Sequence, residues 1–168
     1  MNSYLNDLFD LDGKVVVITG AGGHLCGEMV RGFARVGCLV AILDIKFEKA
    51  KKLENEMIAR GFDQVISLKI DVKAKEDHVR ALEQVLNHFG QVDILVNGAG
   101  INSPTPFFDI SLDEWNSVLD SQVTGTFLGC QVFGKFMVER GTGSIINISS
   151  ASAGPPLSKA FTYSVAKS

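Results

Sequence analysis

Proline and tyrosine are scarce in this chain, with 4 and 2 residues among 168, and charge of one sign dominates nowhere. So few prolines beside 46% hydrophobic content exclude a disordered or collagen-like polymer. The 16 basic residues against 19 acidic ones leave a net charge of −3, which provides no field for a polyanion. The longest basic cluster is the pair Lys51–Lys52, so nucleic acid is not an expected partner. Long apolar runs are missing too. None approaches the ~20 residues that span a bilayer, and the start, MNSYLNDLFDLDGK, lacks the basic-then-apolar order of a signal peptide. The expectation is a cytoplasmic protein with no membrane partner. Cysteine is limited to Cys26, Cys38 and Cys130, odd in number and spaced like neither a metal clip nor a disulfide framework. They read as reduced packing residues, and no metal site is expected. What remains is a globular composition, and residues 1–168 read as one domain long enough to bury a core.

Two kinds of periodicity alternate along the chain. Lys14–Thr19 is a short β-branched run, and the pattern returns at Cys38–Asp44, Val65–Asp71, Val92–Asn97 and Ser144–Ser149. Runs apolar on both faces suit a parallel sheet covered by helices on each side. Between them the period becomes helical: Phe47, Ala50, Leu53 and Met57 share one face, as do Val79, Leu82, Leu86 and Phe89. The order β-α-β-α-β with right-handed crossovers predicts a doubly wound, three-layer α/β/α fold. Strand order 3-2-1-4-5 is expected if the dinucleotide-binding arrangement is followed; a flavodoxin-like order is the alternative. Ser111 and Glu114 form a capping box, hydroxyl and carboxylate both satisfying backbone donors, at the start of a helix from about Leu112 to Glu139. Its apolar residues, among them Trp115, Val123, Phe127, Phe133 and Met137, exceed one stripe. That helix is expected to face the sheet and a second partner, either another copy in a homo-oligomer or a helix from a further part of the same chain.

The segment VVITGAGGHLCGEMV puts glycines between a predicted strand and a predicted helix, the context of a phosphate-binding turn. Glycine lets backbone N–H groups approach a pyrophosphate, and the helix N-terminus adds roughly half a positive charge. Asp44 ends the second strand 24 residues beyond Gly20. That is near the ~20-residue offset at which an acid accepts hydrogen bonds from an adenosine ribose. A carboxylate there repels a 2′-phosphate, so NAD is favoured, while Lys46 leaves NADP open. Tyr163 and Lys167, four apart, share one helix face.

These residues resemble the short-chain dehydrogenase/reductase family, whose Thr-Gly-x-x-x-Gly-x-Gly pattern starts here at Thr19-Gly20. His24 and Cys26 stand at its second and third glycines, with Gly22, Gly23 and Gly27 alongside. Asp71-Val72 stands where the family contacts adenine, and Asn97-Gly98-Ala99-Gly100 resembles its Asn-Asn-Ala-Gly with the second Asn replaced. The resemblance implies a Rossmann-like domain in which Thr19, Gly20, Gly22, Gly23, His24, Leu25, Asp44, Asp71, Val72, Asn97, Gly98, Ala99, Gly100, Tyr163 and Lys167 bind the cofactor. It also implies a catalytic set. Ser150 precedes Tyr163 by 13 residues, the family's serine spacing, with Ser149 and Ser152 as local rivals. Tyr163 is then the general acid/base, Lys167 lowers its pKa and holds the ribose, Ser150 hydrogen-bonds the substrate oxygen, and Gln122 stands where the family has a water-holding Asn. Lowering a phenol by three pKa units takes roughly 4 kcal/mol. An ammonium about 4 Å away at an effective dielectric of ~20 supplies about that much.

The implied activity is hydride transfer between a nicotinamide cofactor and a carbonyl or secondary alcohol. The GGHLCG turn and the Ile-Ile-Asn-Ile-Ser-Ser run resemble a bacterial subgroup of sugar-acid (mannonate or fructuronate) oxidoreductases. Two rival functions stand beside it: a non-catalytic nucleotide-binding or interaction module, and an epimerase or dehydratase of the extended branch. Relatives continue past the position of Ser168 with two more strands and a substrate lid, so the chain reads as a C-terminally truncated form. On that reading the fifth strand becomes an exposed edge, and Tyr163 and Lys167 sit on a frayed terminal turn.

Overall fold

The computed structural model describes residues 9–154 and 159–168; most of the N-terminal segment read against a signal peptide lies outside them. Five strands, β1 (Val15–Thr19), β2 (Leu39–Asp44), β3 (Val65–Lys69), β4 (Ile94–Asn97) and β5 (Ser144–Asn147), form one parallel sheet. Their order is β3-β2-β1-β4-β5, the dinucleotide-binding order and not the flavodoxin-like one. The register pairs Val17 with Ala41 on one side and Leu95 on the other.

β-Branched side chains suit a pleated surface covered on both sides, and β1 is buried along its whole length. Alternate residues enter opposite cores. Val16 and Ile18 meet Val30, Ala50 and Met57 from α1 (His24–Arg35) and α2 (Phe47–Ala59). Val15 and Val17 meet Ala81, Val85 and Phe133 on the other face, from α3 (Lys75–Phe89) and the long helix. Each valine, isoleucine, methionine or phenylalanine among them contributes about 1.5–3 kcal/mol when buried. The predicted faces shift slightly. Phe47 and Val79 are exposed, and the buried stripe of α3 runs through His78, Ala81 and Val85 with Leu82, Leu86 and Phe89 at its margin. The edge strands β3 and β5 are only partly covered; β5 is the exposed edge expected, whereas β3 departs from the two-sided cover expected of the runs.

The predicted helix from Leu112 to Glu139 is interrupted. It runs as α4 (Leu112–Leu119), one π-helical turn (Asp120–Thr124), and α5 (Gly125–Arg140), which ends at Gly141 with φ 77°. Glycines let it approach the strand ends: a Cβ at Gly125 would stand 2.8 Å from Val72, and one at Gly129 would overlap Asn97. The capping box is half made. Ser111 Oγ accepts from the Glu114 N–H at 3.1 Å, whereas the Glu114 carboxylate takes the Ser103 hydroxyl instead of a backbone donor. Among the described residues no helix is long and apolar enough to cross a membrane.

His78 is fully buried, with Nε2 2.8 Å from the Val72 carbonyl and its ring edge-on to Phe133. The carbonyl fixes Nε2 as the protonated nitrogen and leaves buried Nδ1 unpartnered among the described residues. Burial pushes its pKa down, against the raising effects of the Val72 bond and of Asp77 and Asp71. The unfolded chain therefore takes up a proton below about pH 6.5 that the native state refuses. Stability is complete above that pH and falls on acidification through the native pKa, by up to about 1.4 kcal/mol per pH unit. Urea midpoints at pH 7.5 and 5.5 should show this slope, and His78→Asn should remove this residue's share of it.

Candidate active site

The turn between β1 and α1 is built from glycines that have no room for a side chain. Gly20 has φ +69°, and a Cβ there would stand 2.7 Å from Ala99 Cα. At Gly22 a Cβ would stand 2.9 Å from Asp44 Oδ2 and 2.8 Å from Lys49 Cβ. Gly23 is the N-cap of α1; no side chain caps that helix, and its first turn holds no acid. Unsatisfied N–H groups at a helix N-terminus and a glycine surface beside them form an anion site.

This turn forms one wall of a cleft of about 490 Å³ outside the carboxyl ends of the strands, at the point where strand order reverses between β1 and β4. Of the predicted cofactor-binding residues, Gly20, Gly22, Gly23, His24, Leu25, Asp44, Asp71, Val72, Gly98, Ala99 and Gly100 line it. Asp44 is buried and bridges two backbone donors, Gly22 N at 2.9 Å and Lys46 N at 2.8 Å, which fixes its carboxylate beside the turn. Asp71 accepts from Lys73 N at 3.0 Å, and its own N–H donates to Asp77, whose carboxyl is held below the usual range chiefly by that bond. Glycine floor, uncapped helix and fixed carboxylate together fit a dinucleotide.

Thr19, Asn97, Tyr163 and Lys167 are not among the residues lining the cleft. Thr19 is buried beneath the floor, where its Oγ1 accepts from Gly98 N at 3.1 Å and Ala99 N at 3.2 Å and ties β1 to β4. Asn97 is buried too, with its carboxamide donating to Asn147 Oδ1 at 2.9 Å and so joining β4 to β5. Sequence reasoning passed over Ser117 and Ser121, which reach the cleft from α4 and the π-helical turn. A single period read along that segment could not show which serines face inward.

Tyr163 and Lys167 lie on α6 (Phe161–Lys167), with the Lys167 Nζ 5.7 Å from the centroid of the Tyr163 ring. The turn expected to fray is helical through Lys167 and bonded to other elements. Lys167 Nζ donates to the Ile148 carbonyl at 2.6 Å, and Ser149 Oγ donates to the Lys167 carbonyl at 3.0 Å. At the other end Phe161 packs between Phe107 and Trp115, with ring centroids 4.7 and 6.3 Å away. Burial pushes the Lys167 pKa down, with a smaller opposing effect from Cys26, which places ammonium and thiol within electrostatic reach. Ser150 Oγ accepts from Ser152 N at 3.2 Å and donates to Ser152 Oγ at 3.3 Å. Gln122 sits in the π-helical turn, donates Nε2–H to the Ile101 carbonyl at 2.7 Å, and presses against Gly100. Its Oε1 is buried without a partner among the described residues.

The family profile described as short chain dehydrogenase matches residues 14–168. The chain belongs to the short-chain dehydrogenase family. The uncharacterized oxidoreductase UxuB of Bacillus subtilis is 39% identical to this short-chain dehydrogenase chain, the alignment covering 94% of it and 62% of the relative. D-threitol dehydrogenase of Mycolicibacterium smegmatis is 35% identical, covering 95% and 61%. A gluconate 5-dehydrogenase from Burkholderia cenocepacia, solved in complex with NADP and tartrate, superposes with a TM-score of 0.86. It is 29% identical, covering 96% of this chain and 64% of that one. The chain thus spans about three-fifths of the length of the relatives it matches.

Proposed function

We propose that this chain carries the nucleotide-binding and reacting residues of an oxidoreductase. It would move a hydride between a nicotinamide dinucleotide and a carbonyl or secondary alcohol of a sugar acid or polyol. The observation that carries the reading is the cleft itself: an uncapped helix N-terminus, a floor of glycines and a fixed carboxylate at the switch point of the sheet. The threitol- and gluconate-active relatives support the substrate class.

In this reading the bound dinucleotide supplies or accepts the hydride, and the chain supplies the rest. Tyr163 gives the proton to the forming alkoxide, because a carbonyl that gains a hydride must gain a proton. Lys167, whose Nζ lies 5.7 Å from the centroid of the Tyr163 ring, holds the ribose beside it. Ser150 hydrogen-bonds the substrate oxygen. The 13-residue spacing to Tyr163 selects Ser150 over Ser149 and Ser152, and its hydroxyl would exchange the bond to Ser152 Oγ for that oxygen. Among the described residues Gln122 Oε1 has no partner, which suits a bound water passing protons toward Lys167. Val123, Phe127 and Val138 remain exposed on the π-helical turn and α5, and support a homo-oligomer through this helix.

Asp44 makes NAD the preferred cofactor, because its carboxylate would face a 2′-phosphate across a short gap. Asp44→Asn should shift the ratio of NADPH to NADH affinity by about tenfold toward NADPH, equal to ~1.4 kcal/mol. Fluorescence titration with both nucleotides measures it, and an unchanged ratio contradicts the assignment. Hydride transfer is tested by NADH oxidation with keto-sugar acids; tight binding without turnover on any carbonyl would favour the non-catalytic module.

A further inference from the structure

Cys26 and Gly98 face each other across the seam between the first turn of α1 and the end of β4. A Cβ built on Gly98 would overlap the Cys26 sulfur, and would also stand 3.2 Å from the Thr19 carbonyl oxygen. Gly98 does not have positive φ, so its backbone conformation does not require glycine. The bar to a side chain at 98 is steric. Cys26 is 4% exposed, so its sulfur fills the seam and does not project into solvent. Beside it the end of β1 is fastened to the end of β4, through the Thr19 side-chain Oγ1 accepting from Gly98 N and Ala99 N and through Gly20 packed against Ala99.

We propose that Cys26 and Gly98 are an interlocked pair that sets the spacing between the α1 N-terminus and the β4 end, and so aims the amides of the glycine turn at the dinucleotide. Cys26 is a positioning residue in this account. Burial pushes its thiol up, Asp44 adds to that and Lys167 opposes it, which leaves sulfur a packing group at neutral pH. Two departures from the family pattern, a cysteine at the third glycine of the turn and a glycine at the second asparagine after β4, become one exchange. At this seam the side-chain volume lies on position 26, and position 98 has none. The inference rests on the proposed function for the identity of the ligand only; the packing stands apart from it.

The test compares the parent chain with Cys26→Gly, Gly98→Asn and the double variant, by thermal unfolding and by NADH titration. Gly98→Asn should lower Tm by about 3–10 °C, the effect of overpacking in a chain of this size. It should also weaken NADH binding by about tenfold, with a smaller loss for Cys26→Gly. The double variant should recover at least half of the Gly98→Asn loss in both measurements. Adenosine has no phosphate to meet the turn, so the ratio of NADH to adenosine affinity should fall for Gly98→Asn and recover in the double variant, whereas general unfolding would lower both affinities together. If Gly98→Asn alone yields no folded protein, a folded double variant supports the interlock and an unfolded one overturns it. Effects that simply add, or a double variant worse than either single one, overturn it as well. Should none of the four bind NADH, the dinucleotide reading fails, and the Tm values alone decide the interlock.

Discussion

Tyr163→Phe is expected to lower turnover by about 10²–10⁴-fold in active protein, the usual contribution of a positioned general acid. NADH affinity should change by no more than about twofold. The phenylalanine keeps the ring beneath the Lys167 ammonium and the packing of α6, so the hydroxyl alone is removed. Steady-state NADH oxidation gives kcat, and a nucleotide titration of the same variant shows that the cleft is intact. Full turnover in the variant would mean that the proton comes from another group.

Gly20→Ala is expected to cost about 2–6 kcal/mol of stability. Two effects combine, each of about 1–3 kcal/mol: the left-handed backbone at φ +69°, and a Cβ forced to 2.7 Å from Ala99 Cα. The neighbour is backbone, which cannot rotate away, and the turn and β4 are already bonded through Thr19. Gly61 is the control. Its φ is +88°, yet a Cβ there meets nothing within 4 Å, so Gly61→Ala should cost about 1 kcal/mol. Urea unfolding of the two variants separates strain from collision. Against a total stability of about 5–15 kcal/mol, the larger loss would leave the chain close to unfolding. Similar costs at both positions would show that the seam is looser than described.

The sheet was legible because five β-branched runs alternated with helical periods; right-handed crossovers left two strand orders open, and the structure has the dinucleotide-binding one. The cofactor cleft was legible for the same reason: strand ends and a glycine turn occur in fixed sequence positions, and the fold brings them together. What escaped depends on contacts between segments far apart in the chain. His78 scores as polar, yet the Val72 carbonyl gives its Nε2–H a partner and lets the ring enter the core, which turns Val79 outward. The extra residue of a π-helical turn changes which side chains share a face, so a reading at one helical period missed Ser121 in the cleft and the break at Asp120–Thr124. Thr19 and Asn97 match the family pattern in sequence, but their side chains serve the joints beneath the floor. The contacts that hold α6 were not legible because Phe107, Trp115, Ile148 and Ser149 lie on other elements.

The central claim is that a nicotinamide dinucleotide occupies the cleft between the glycine turn, Asp44 and the β4 end, with α6 beside it. Backbone amide shifts of the isotopically labelled chain, followed during titration with NADH, test this most directly. The account predicts saturable changes at Gly20, Gly22, Gly23, His24, Ala99 and Gly100, extending to Tyr163 and Lys167, with little effect on the exposed face of α3. No change at the glycine turn, or changes confined to other surfaces, would contradict it.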